Sequence, residues 1–100
     1  MTLFSQVWPS FWTKGINWPA GGEIDVIEAV NLMTYTQMAL HTSTGCTQAT
    51  GVKQSGATSD TDCGTTSGCT VAEQQPNSFG AGFASAGGGV WATQFDSSGI

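Results

Sequence analysis

Basic side chains are nearly absent from this 100-residue chain: Lys14 and Lys53 stand against seven Asp and Glu, and the formal charge is -5. Without clustered Lys and Arg there is no electrostatic footprint for nucleic acid or for an anionic lipid surface. No apolar run approaches the ~18 residues of a membrane-spanning helix, so a membrane partner is not expected either. The first residues carry no basic group and no apolar h-region before Gln6, unlike a signal peptide. Histidine occurs once, as His41, and nothing supplies the ligand spacing of a zinc or EF-hand motif, so no metal is expected. The glycine-rich run from Gly80 to Gly89 lacks the Lys, the GxGxxG spacing and the βαβ context of a phosphate loop, and reads as a flexible turn.

What the chain does have is an acidic stretch, Gly21-Gly22-Glu23-Ile24-Asp25-Val26-Ile27-Glu28-Ala29-Val30, holding three of the seven acidic residues. Side chains alternate between the faces of a strand, so Glu23 and Asp25 share one face while Ile24 and Val26 share the other. Glu28 lies an odd five positions from Glu23, and a regular strand would send it to the apolar face. Burying an unpaired carboxylate there costs several kcal/mol. A β-bulge around Val26-Ile27 removes the conflict, because one extra residue resets the phase and returns Glu28 to the face of Glu23 and Asp25. The two Glu Cα atoms then stand roughly 13 Å apart. Side chains leaning together over the shorter Asp reach the ~5–5.5 Å carboxyl separation used by retaining glycosidases. Carboxylates that close cannot all stay ionised cheaply, so at least one is expected to hold its proton near neutral pH.

Around this stretch the chain reads as short strands and polar loops. Residues 6 to 13 alternate, with Val7 and Phe11 on one face and Trp8, Ser10 and Trp12 on the other, and Pro9 points to an edge or a bulge. Trp8 is read as a core aromatic. Gln37-Met38-Ala39-Leu40-His41-Thr42 reads as a neighbouring strand, with Gln37, Ala39 and His41 on one face. Residues 43 to 78, rich in Thr, Ser, Gly and Gln, read as a long surface excursion in which Asp60, Asp62 and Glu73 are solvated charges. Cys46, Cys63 and Cys69 lie in or beside it, which points to disulfides in an oxidising compartment. Cys63 with Cys69 makes a tight loop and Cys46 with Cys63 a wider one, and the odd thiol is free or pairs elsewhere. Val90 to Asp96 reads as a last strand, with Trp91, Thr93 and Phe95 on its core face and Asp96 starting a turn through Ser97-Ser98-Gly99.

Glu23-Ile24-Asp25-Val26-Ile27-Glu28, with Trp8-Pro9-Ser10-Phe11-Trp12 before it and Ala39-Leu40-His41-Thr42 after it, resembles glycoside hydrolase family 16, in particular its fungal laminarinase-like endo-1,3(4)-β-glucanases. The likeness runs from Val7 to the Gly88-Gly89-Val90-Trp91-Ala92-Thr93 segment. It implies an all-β fold, a concanavalin A-like β-sandwich jelly roll, of which residues 1–100 form an incomplete portion of one catalytic domain. Met1 to Phe4 enters a strand pattern at once, and the chain stops after a turn signal, as expected of a fragment. The resemblance implies Glu23 as nucleophile, Glu28 as general acid/base and Asp25 as the helper between them. It also implies Trp12 and Trp18 as contacts to sugar and His41 as a residue hydrogen-bonding the sugar or a catalytic carboxylate, with Trp18 on a loop whose Gly21 and Gly22 let the backbone turn sharply and leave room for substrate. The activity implied is internal cleavage of β-1,3 or mixed β-1,3/1,4-glucan by double displacement, with no cofactor, in a secreted monomer. Transfer to a second glycan by the same carboxylates and an inactive carbohydrate-binding remnant are the alternatives.

Overall fold

A computed structural model describes residues 6–100; the expectation for Met1 to Phe4 lies outside the described residues. Five strands, β1 (Ser10–Lys14), β2 (Glu23–Glu28), β3 (Gln37–His41), β4 (Ala57–Asp60) and β5 (Cys69–Ala72), are followed by a short helix, α1 (Gly80–Ser85). The strands form one antiparallel sheet in the order β1-β2-β3-β5-β4, so the acidic strand lies inside it. This sheet is a portion of a β-jelly roll.

Strand β1 starts at Ser10 rather than at residue 6. Pro9 has no N–H to give to a ladder, yet the segment before it stays attached through its carbonyls. Pro9 O accepts from Ala29 N at 3.1 Å and Val7 O accepts from Asn31 N at 2.8 Å. Trp8, Ser10 and Trp12 keep their common face, since Ser10 pairs with Glu28 and Trp12 with Asp25.

Residues 43 to 78 are no simple excursion, because they contain β4 and β5, and β5 pairs with both β3 and β4. Four-residue strands of small side chains, Ala57-Thr58-Ser59-Asp60 and Cys69-Thr70-Val71-Ala72, carry too little apolar alternation to stand out in a sequence. The bond between Cys63 and Cys69 fixes the start of β5, and Cys46 is free and exposed. The acidic residues here shape turns: Asp60 accepts from Asp62 N at 3.0 Å, Asp62 from Gly64 N at 2.9 Å and Glu73 from Gln75 N at 2.7 Å.

The glycine-rich run expected to be a flexible turn folds in part into α1, one helical turn closed by Phe83 N on Phe79 O and Ala86 N on Gly82 O. The expected strand at Val90 to Asp96 does not form. Among the described residues no strand pairs with it, and Phe95, expected in a core, is 73% exposed. The turn expected at Asp96 is present, closed by reciprocal backbone bonds between Asp96 and Gly99. One face of the sheet, with Ile24, Val26, Met38, Leu40 and Val71, lines an open groove of about 730 Å³ that Trp91 also borders; the carboxylates use the other face.

Candidate active site

The site is built on a bulge. Against β1, Phe11 pairs with Ile27 and Trp12 with Asp25, leaving Val26 as the extra residue. Against β3, Asp25 pairs with Ala39 and Glu28 with Gln37, so Val26 and Ile27 together oppose Met38. The expected phase reset therefore occurs where the sequence demanded it. Glu23, Asp25 and Glu28 face the same way as their partners His41, Ala39 and Gln37, because directly opposed residues of an antiparallel pair share a face.

Asp25 is the most deeply placed of the three, 3% exposed, with the small Ala39 opposite. Burial raises its pKa from 3.8 to about 6, and the charges of Glu28 and Glu23 push the same way. His41 opposes the rise, and a hydrogen bond to Glu23 adds to it. Burial and its acidic neighbours thus favour the protonated form of the middle carboxyl. His41 approaches from the next strand, its Nε2 3.1 Å from Asp25 Oδ2, although that oxygen has no aligned donor. Glu23, Asp25 and His41 each place one ligating atom within 4.8 Å of the other two, a cluster that spacing along the chain did not reveal.

Glu28 is held differently. The Trp8 indole Nε1 donates to Oε1 at 2.7 Å, and the Gln37 amide Nε2 donates to Oε2 at 2.9 Å. The Thr36 hydroxyl, fully buried, accepts from Glu28 N at 3.0 Å and donates to Glu28 O at 3.1 Å. Trp8 therefore does not serve as the core aromatic expected of it: it is 64% exposed and its polar edge engages an acidic side chain. The alternation placed Trp8 and Gln37 on the right faces, but their meeting at Glu28 depends on strand register.

Trp12 and Trp18, expected to contact sugar, are both about half exposed beside the acidic face. Trp12 pairs with Asp25 in register, and Lys14 Nζ stands 5.9 Å from the centre of its ring. Trp18 lies 6.2 Å from His41 between ring centres, tilted by 48°. Its loop is cinched where Gly15 and Gly21 meet: a Cβ on Gly15 would fall 2.4 Å from Gly21 O, and one on Gly21 would fall 2.9 Å from Gly15 Cα. Gly22, at φ +76, then makes the turn into β2. Gly68 was not singled out by the sequence, yet a Cβ there would meet the His41 ring at 3.0 Å and Leu40 O at 2.5 Å.

Residues 3–100 match the family model described as the XgeA-like catalytic domain of glycoside hydrolase family 16. The chain belongs to that family. It is 46% identical over 90 residues to a probable endo-1,3(4)-beta-glucanase of Aspergillus niger, covering 88% of this chain and 12% of that protein. Among solved structures it is similar to an elongating family 16 β-1,3-glucosyltransferase, with TM-score 0.77 and 41% identity over 89% of this chain and 31% of that one. It is also similar to Laminarinase 16A from Phanerochaete chrysosporium with 6-O-glucosyl-laminaritriose in its donor and acceptor sites, with TM-score 0.71 and 36% identity over 82% and 29% of the two chains. The chain thus spans less than a third of the length of each of these relatives.

Proposed function

We propose that this chain carries the reacting carboxylates of a retaining endo-β-glucanase acting on β-1,3 or mixed β-1,3/1,4-glucan. The observation that carries the reading is the phase reset at Val26, which brings Glu23, Asp25 and Glu28 onto one face. Glu23, half-buried and hydrogen-bonded to the proton-holding Asp25, suits attack on the anomeric carbon. The bond to the leaving oxygen breaks as the bond to Glu23 forms, and Glu28 supplies the proton that the departing sugar takes. Water then attacks the glycosyl-enzyme, gives its proton to Glu28 and releases Glu23. Asp25, donating its hydrogen bond to Glu23, spreads the negative charge that returns there. Trp12 and Trp18 offer flat rings to glucose faces, and His41 offers polar contact at the same end as Glu23.

The similarity to a glucosyltransferase favours a second reading, in which a glycan hydroxyl replaces water as acceptor. The disulfide supports secretion, since such bonds persist in oxidising compartments. The test is the product pattern from a laminari-oligosaccharide given to this chain, or to a longer polypeptide containing it, with Glu23→Gln beside it. Shorter products lost on substitution support hydrolysis and products longer than the substrate support transfer, whereas activity surviving Glu23→Gln removes Glu23 from the reaction.

A further inference from the structure

We infer that Trp8 and Gln37 are positioning residues that fix the carboxyl plane of Glu28 for proton transfer. The inference rests on reading Glu28 as the acid/base. Each oxygen of that carboxyl takes one hydrogen bond, Oε1 from the Trp8 indole at 2.7 Å and Oε2 from the Gln37 amide at 2.9 Å. The donors come from opposite sides: Trp8 from the segment leading into β1, Gln37 from the first position of β3. With the backbone of Glu28 also fastened by Thr36, rotation about the last side-chain bond is pinned from both flanks.

Neither donor can replace Glu28 in the proton transfer. An indole N–H and a carboxamide N–H do not ionise in the working range, so they orient the carboxyl without competing for its proton. A carboxylate has about four lone-pair sites, and two bonds leave two of them free to exchange a proton with a leaving group or a water. Proton transfer needs its partner within hydrogen-bond reach and in line, so a carboxyl free to rotate loses much of the effect. The exposure of Trp8 fits a positioning role, since a large indole left 64% open to solvent adds little to a core while its one polar atom is engaged.

The experiment compares Trp8→Phe and Gln37→Met in whichever polypeptide containing these residues cleaves laminari-oligosaccharides. Two substrates are used: the oligosaccharide, whose leaving alcohol must be protonated, and a dinitrophenyl β-laminaribioside, whose leaving group needs no proton. Expected is a fall of about 10-fold or more in kcat/KM on the oligosaccharide, within the ~100- to 10,000-fold that acid–base catalysis supplies. On the activated glycoside kcat/KM stays within about twofold, and azide, a nucleophile needing no base, restores turnover lost in the second step. Equal losses on both substrates, or none on either, overturn the inference. If Glu23→Gln leaves hydrolysis intact, the glucanase reading fails separately. A second arm needs no activity: in the 100-residue chain the Trp8 indole N–H is expected to exchange with solvent at least about 10-fold more slowly than those of Trp12 and Trp18. Equally fast exchange at all three overturns the clamp.

Discussion

A carboxylic acid buried among carboxylates makes the fold pH-dependent, and Asp25 is such a residue. Its pKa is raised from 3.8 to about 6 by burial first, then by Glu28 and Glu23. Between those values the folded chain binds more protons than the unfolded one, so stability falls as pH rises across the window. Above it Asp25 must ionise in place, at a cost of up to about 3 kcal/mol from a shift of roughly two units. Asp25→Asn, which keeps a similar shape and stays neutral, is expected to remove that slope and to melt higher than the parent at pH 7. Melting curves from pH 4 to 7 check this; a parent whose Tm rises steadily over the range contradicts it. Gly68 lends itself to a second test at this scale. Its φ of +69 disfavours any side chain, and a methyl group would press on the His41 ring and on Leu40 O. Gly68→Ala should cost about 1–3 kcal/mol, and the His41 ring resonances should shift more than those of Trp12.

At the scale of elements, the bulge in β2 decides which face carries Glu28. Deleting Val26 makes the pairing one-to-one: Phe11 with Ile27 and Trp12 with Asp25 become consecutive, and only Ile27 opposes Met38. Glu28 then stands an even number of residues from Glu23 and keeps its face. The deletion should therefore fold with Tm within about 5 °C of the parent, while deleting both Val26 and Ile27 leaves Glu28 an odd number of residues from Glu23 and should turn it over and lower Tm by more than about 10 °C, as stranding a carboxylate on the apolar face demands. Equal behaviour of the two variants would show that the bulge does not set the phase. The bulge was legible in the sequence because its absence creates a conflict between alternation and charge that local residues alone expose. The face shared by Gln37, Ala39 and His41 was legible from the alternation of that strand alone. The pairing of Trp8 and Gln37 with Glu28 was not, since it depends on how three separate segments align. Strand β5 stayed hidden because Cys69-Thr70-Val71-Ala72 owes its strand state to β3 and β4 on either side, and the Val90 to Asp96 segment shows the converse: alternation without a partner strand makes no ladder.

For the whole molecule, the decisive feature is how little apolar volume is enclosed. Among the described residues, the buried apolar set is Ala29, Ala39, Cys63 and Cys69, and the largest side chain fully buried is that of Thr36. Ile24, Val26, Met38, Leu40 and Val71 instead border an open groove. Burial of a Leu or Ile contributes ~1.5–3 kcal/mol only when the side chain leaves water, so the sheet's largest potential contribution is unrealised in this chain. Against so small a core the Cys63–Cys69 bond, joining residues six positions apart, weighs heavily: a loop of that length is worth about 2 kcal/mol through the unfolded state, a large fraction of a marginal total. The 100-residue chain is therefore expected to bind 1-anilinonaphthalene-8-sulfonate at its open face and to lose cooperative melting, followed by far-UV circular dichroism, when the disulfide is reduced. Leu40→Asn, on the groove side of β3, should reduce the dye signal without touching the carboxylate face. A cooperative transition above about 60 °C that survives reducing agent, with no dye bound, would mean that the apolar face is covered in solution, and the chain's stability would then have to be sought in that cover rather than in the sheet.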